Sequence, residues 1–201
     1  MNHSYSAENH DWDLTLRAAW NLVMMGQAVS HLPTGGTTRE REFASFMSSM
    51  LLSFCAIESF SASVAFSMPQ GDRFSAFDFE KYNRTSRFWD KMEMLCGAIP
   101  YQLDKSKGLF QTIAEMQRWR NLVTHASPYR VEPTDIPNTT SAPRRLHKPL
   151  CGKEYTRKVN LENAKKFYEC ACNFVELITN LTGIEPRAMA QYTVGSDDSN
   201  S

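Results

Sequence analysis

The sequence has no excess of charge of either sign: 22 Lys and Arg balance 22 Asp and Glu over 201 residues. That balance excludes a protein that holds nucleic acid mainly by bulk electrostatics, so any contact to RNA must be local. No run approaches the ~18 consecutive apolar residues of a membrane span, and the expectation is a soluble protein with no membrane partner. Cysteine is sparse and odd in number. Cys55, Cys96, Cys151, Cys170 and Cys172 contain no CxxC pair, which excludes a zinc ribbon or a disulfide framework. An apolar N-terminal run behind basic residues is also missing, so no secretory signal is read and a reducing, cytoplasmic setting is expected. A phosphate-binding glycine loop, a paired-histidine metal motif and an internal repeat are likewise missing. Neither a metal nor a cofactor is therefore expected.

What is present is helical periodicity. Trp12, Leu16, Ala19, Trp20, Val23 and Gln27 recur near the helical period over about residues 9–31, ahead of Pro33 and Gly35-Gly36. Thr37 or Thr38 can cap a second helix that runs to about Met68, where Pro69 and Gly71 stop it. It is apolar or small almost all round, from Phe43 to Phe66, which marks a centrally buried helix. Glu58 lies inside that apolar run and needs a partner if it is buried.

A third helix is expected over 84–98, with Phe88, Met92, Leu95 and Cys96 on one side. A fourth spans about Gly108 to Ala126, presenting Leu109, Ile113, Met116 and Trp119 or Val123 inward, with Pro128 blocking continuation. Residues 130–159 carry Pro133, Pro137, Pro143 and Pro149 and read as one long irregular loop or insertion, a length usually tied to function or disorder. The last helix covers Leu161 to Leu181 and ends at Gly183. The fold class is thus all-α: an antiparallel bundle of about five helices in a single domain over 1–185, followed by a flexible tail over 186–201.

One pattern names a chemistry: Arg120-Asn121-Leu122-Val123-Thr124-His125, at the end of the fourth helix. Asn121 and His125 are one turn apart and share a face, and the long stem of Arg120 can bring its guanidinium round to them. A planar five-donor cation, an amide and an imidazole that titrates near neutral pH form a set suited to a phosphodiester. With 13 Arg and 5 His in 201 residues, the bare spacing arises by chance roughly 0.3 times, and with Asn, Asp or His after the arginine roughly 0.04 times. A solvated helix face with a surface arginine and a capping histidine accounts for the same letters.

The motif resembles the signature of the HEPN family of small all-helical domains, in which Arg, a polar residue, three further residues and His lie near the end of a late helix. Leu51 to Phe60 with its embedded Glu58 is similar to the family's long second helix, and Tyr82 to Leu95 to its shorter middle helix. The resemblance implies a metal-independent endoribonuclease in which Arg120, Asn121 and His125 are catalytic and Glu58 supports them. It implies attack of the ribose 2′-hydroxyl on phosphorus and a homodimer whose two motifs meet at the interface. Family members often act as toxins or in antiviral defence, so an antitoxin or regulatory partner belongs to the same expectations. Members controlled by tyrosine modification carry that tyrosine two residues after the histidine, where this chain has Ser127; Tyr129 is displaced, and that control is not expected.

Local positive charge follows the motif. Arg144, Arg145, Lys148, Lys153, Arg157 and Lys158 are candidates to track RNA phosphates. A solvated loop and helix start is the competing explanation. A non-catalytic HEPN-like module that binds a nucleotide or a protein, and a plain helical interaction domain with an Arg120–Glu58 ion pair, remain the alternatives for the whole chain.

Overall fold

The computed structural model describes residues 2–33, 35–125, 154–187 and 189–195. The chain is mostly helical. In order, it forms strand β1 (Asn2–Glu8), helices α1 (Trp12–Ser30) and α2 (Gly36–Ser67), and two 3-10 turns (Met68–Gln70 and Asp72–Phe74). There follow α3 (Phe79–Arg84), α4 (Phe88–Ala98), α5 (Gly108–Thr124), the single turn α6 (Glu154–Arg157), α7 (Leu161–Thr182) and strand β2 (Met189–Gly195).

Helix ends follow local chemistry. Asp78 caps α3, its carboxylate accepting from the Lys81 N–H at 2.9 Å, and Thr85 closes it with both its N–H and its hydroxyl directed at the Lys81 carbonyl. Asn160 caps α7 through the Asn163 N–H at 2.8 Å. Gly183 ends that helix at φ +73°, a left-handed conformation that glycine adopts without steric cost, and its N–H reaches the Thr179 carbonyl at 2.7 Å.

Two expectations are corrected. The helix expected over 84–98 is α4 and starts four residues later, at Phe88, because Thr85 and Arg87 take extended conformations; the short α3, which ends at Arg84, precedes it and was not expected as a separate helix. The long loop expected over 130–159 ends in the turn α6; the rest of it, up to residue 153, lies outside the described residues. The all-α expectation holds in its coarse form, the chain being mostly helical, and one strand pair is added to it: β1 and β2 run antiparallel, with Asn2 opposite Gly195 and Glu8 opposite Met189. Residues 189–195 of the expected tail are thereby a strand.

The chain groups into two compact units. The first comprises residues 1–17, 55–104 and 171–201, and the second 18–54 and 105–170. In the first, Trp12 stands edge-on to Phe60 at 4.9 Å, Phe60 edge-on to Phe174 at 6.2 Å, and the Trp12 indole N–H donates to the Pro186 carbonyl at 2.8 Å. Ile57, Val64, Met92, Leu95 and Ile178 complete that core. In the second, Phe46, Met50 and Phe54 of α2, Ile113, Met116 and Trp119 of α5, and Phe167 of α7 are buried. Trp119 stands edge-on to Phe167 at 5.8 Å.

Helix α2 with its 3-10 extension, Gly36–Gln70, is 35 residues long and apolar enough to cross a membrane by length and composition; 61% of its most apolar window is buried inside the protein, as in a core helix. Two of its buried serines suit that setting. Ser53 and Ser61 return their hydroxyls to the carbonyls of Ser49 and Ile57 at 2.8 and 2.6 Å, so their polarity is spent within the helix.

Candidate functional site

The inward stripe of α5 decides what its outer face can present. Burial of Phe110, Ile113, Met116 and Trp119 turns Arg118, Asn121 and Leu122 outward, with Arg120 half-buried between the two faces. The Arg120 guanidinium lies over the Phe54 ring at 5.8 Å, and its Nη1 donates to Asn121 Oδ1 at 3.1 Å. With its oxygen so engaged, the Asn121 amide offers its two N–H donors outward. The two side chains therefore form a donor-rich pair on a helix shoulder.

His125 is the residue that closes α5, at φ −112° and ψ 27°, and its backbone N–H donates to the Asn121 carbonyl at 3.0 Å. Thr124 ties the same turn by donating its hydroxyl to the Arg120 carbonyl at 3.0 Å. The imidazole is exposed and makes no hydrogen bond or ion pair among the described residues. The structure thus brings Arg120 and Asn121 into direct contact and adds His125 one turn on through the backbone.

Glu58 belongs to the first unit, whereas Arg120, Asn121 and His125 belong to the second. Its half-buried carboxylate lines a cavity of about 90 Å³ with Ser61, Tyr82, Ser86, Lys91 and Met92. Tyr82 is buried, and burial first, then the negative charge of Glu58, push its hydroxyl above the ordinary phenol range. Lys91 Nζ stands over the Tyr82 ring at 5.0 Å.

Of the basic candidates, Arg144, Arg145, Lys148 and Lys153 lie outside the described residues. Arg157 is exposed at the end of α6 and Lys158 is half-buried just after it. A link that the sequence did not announce holds them to the motif helix. The indole N–H of Trp119, the residue before Arg120, donates to the Tyr155 carbonyl at 3.0 Å. Only a tryptophan or another long donor on the buried stripe could do this, and the apolar periodicity that reveals Trp119 says nothing of its N–H. Lys166 of α7 adds a 2.6 Å ion pair with Glu115 of α5.

Among the described residues no group of three or more His, Cys, Asp or Glu side chains is placed to hold a metal ion. The class defined by the fold and this site is a mostly helical protein that displays an Arg-Asn pair and an exposed histidine at the end of one amphipathic helix. No protein-family model, no curated protein and no solved structure matches the chain.

Proposed function

We propose that this protein is a metal-independent endoribonuclease of the HEPN type, acting as a toxin or antiviral effector, with Arg120, Asn121 and His125 as its catalytic residues. The observation that carries this reading is the Arg120–Asn121 hydrogen bond at 3.1 Å, one turn before the exposed His125. It supports reading Arg120 and Asn121 as one donor pair near the helix end that His125 closes. The bond also constrains the guanidinium before any substrate arrives, and preorganised donors are the ones that stabilise charge developing in a transition state.

The reaction follows from the residue types. The ribose 2′-oxygen attacks the adjacent phosphorus, the bond from phosphorus to the 5′-oxygen breaks, and the products are a 2′,3′-cyclic phosphate and a 5′-hydroxyl end. Arg120 and Asn121 hold the non-bridging oxygens. His125 moves the proton, taking it from the 2′-hydroxyl or supplying it to the leaving 5′-oxygen. One chain has one such histidine, so a homodimer with two motifs at its interface supplies an acid and a base together. Arg157 and Lys158 extend the phosphate track, and DNA, which lacks the 2′-hydroxyl, is inert.

A binding module without catalysis is the second reading. It is favoured by the neutral charge of the chain and by an imidazole that no second side chain orients among the described residues. The two readings part on purified protein incubated with single-stranded RNA in the presence of a chelator. The ribonuclease reading expects cyclic-phosphate ends, an uncleaved 2′-deoxy control, and a loss of about 10² to 10⁴ in rate for His125→Ala at unchanged melting temperature. Arg120→Lys keeps the charge but loses the fork and is expected to fall nearly as far. Binding of RNA with no cleavage by wild type overturns the enzyme and leaves the module.

A further inference from the structure

We infer that the first unit carries a separate binding site for a small organic cation, an ammonium group on a compact apolar body. The site is a cavity of about 430 Å³ between the β1–α1 connection and the C-terminal turns of α2. That volume falls in the range of small-molecule pockets, roughly 300–1,000 Å³. Its polar wall is made by Glu8, His10 and Asp11 on one side and Ser59 and Ser63 on the other, and its apolar wall by Phe66.

Charge sets the sign of the ligand. Two acidic residues line the cavity, and among the described residues no lysine or arginine does. The imidazole of His10 can offset one carboxylate at most, so the wall is negative in either of its protonation states. The N-terminus of α1 would favour an anion, but Asp13 already occupies its first turn. Phe66 adds a ring face to the attraction: it is 36% exposed and held edge-on against Phe79 at 5.3 Å.

One buried polar side chain points to an occupant. Ser63 is only 7% exposed, and among the described residues its hydroxyl has no hydrogen-bond partner, although its carbonyl accepts from Ser67 at 3.0 Å. Ser61, two residues earlier, returns its hydroxyl to the helix instead. His10 is 8% exposed and is paired with Glu8, Nε2 to Oε2 at 3.7 Å. A buried hydroxyl is normally satisfied, and an ammonium with three donors suits a cavity lined by both the Glu8 carboxylate and the Ser63 hydroxyl.

Calorimetric titration of the full chain tests this with three probes of one shape: 2-phenylethylammonium, phenylacetate and 2-phenylethanol. The ammonium is expected to bind, the carboxylate not at all, and the alcohol at least tenfold more weakly than the ammonium. Glu8→Gln is expected to weaken the ammonium at least tenfold. Ala62 lines the cavity and is exposed on α2, so Ala62→Leu fills the space from outside the core and is expected to abolish binding at unchanged melting temperature. Absence of ammonium binding, equal binding of phenylacetate, or insensitivity to both substitutions overturns the site. None of these readouts depends on RNA cleavage.

Discussion

Trp119 does two jobs with one side chain, and they can be separated. Its ring fills the core against Phe167, and its N–H satisfies the Tyr155 carbonyl of the segment that carries Arg157 and Lys158. Trp119→Phe keeps most of the packing and leaves that part-buried carbonyl without its donor, an imbalance worth about 1–3 kcal/mol. Urea unfolding of the variant is expected to show a loss in that range. If α6 is held to α5 by this bond, protease cleavage after Arg157 accelerates in the variant before global unfolding. At this scale the motif letters were legible because Arg, Asn and His have few reasons to recur at that spacing. The Arg120–Asn121 bond was not, since the periodicity places both residues but leaves their rotamers open. Nor was the setting of Glu58 beside Tyr82, because residues 58 and 82 are joined by the path of the chain and by no repeating pattern.

Among the elements, α2 packs closely enough against α1 to limit change there. Gly26 of α1 is buried, and a Cβ built there would stand 2.5 Å from Cε1 of Phe46, itself 2% exposed. In an exposed helix, Gly→Ala gains up to about 1 kcal/mol. Here the methyl must displace an aromatic ring in a closed core, which costs about 1–3 kcal/mol. Gly26→Ala is therefore expected to be neutral to destabilising by up to about 2 kcal/mol, and thermal melting that shows a gain of stability contradicts the contact. The long helices were readable from sequence because each has a wide apolar stripe between proline or glycine stops. The strands were not. Asn2–Glu8 and Met189–Gly195 lie 181 or more residues apart in pairing and show no strict alternation of apolar and polar residues, so nothing local marks them as partners. The short α3 and the later start of α4 were missed for a related reason: Thr85, Ser86 and Arg87 contain neither glycine nor proline, and the end of α3 is made by Thr85 hydrogen bonds to Lys81.

For the whole molecule, each unit carries its own built-in reporter of opening. Cys96 lies in the first unit and Cys170 in the second, and both are buried. Burial pushes the Cys96 thiol up to about 11 and the Cys170 thiol up to about 12, the latter against a smaller opposing pull from Lys166. Both pKa values are raised over the ordinary thiol range, so each thiol is held protonated in the folded state. The stability tied to this is fully present below about pH 9 and is lost as pH rises from there through 11 to 12, because unfolding then releases a proton. Unfolding midpoints in urea are accordingly expected to fall between pH 9 and 11, and a rise across that interval contradicts the burial of both thiols. The same protonation makes the two thiols poor nucleophiles at pH 8, where exposed Cys55 reacts first. The helices α1, α2 and α7 each contribute residues to both units, so melting one unit unravels chain that the other needs. In a Cys151→Ser background, pulsed alkylation across a urea series is therefore expected to expose Cys96 and Cys170 at the same urea concentration. Exposure of one well before the other would mean that the shared helices fray at the boundary and that the two units are separate cooperative blocks. The motif on α5 could then open independently of the cation cavity beside β1.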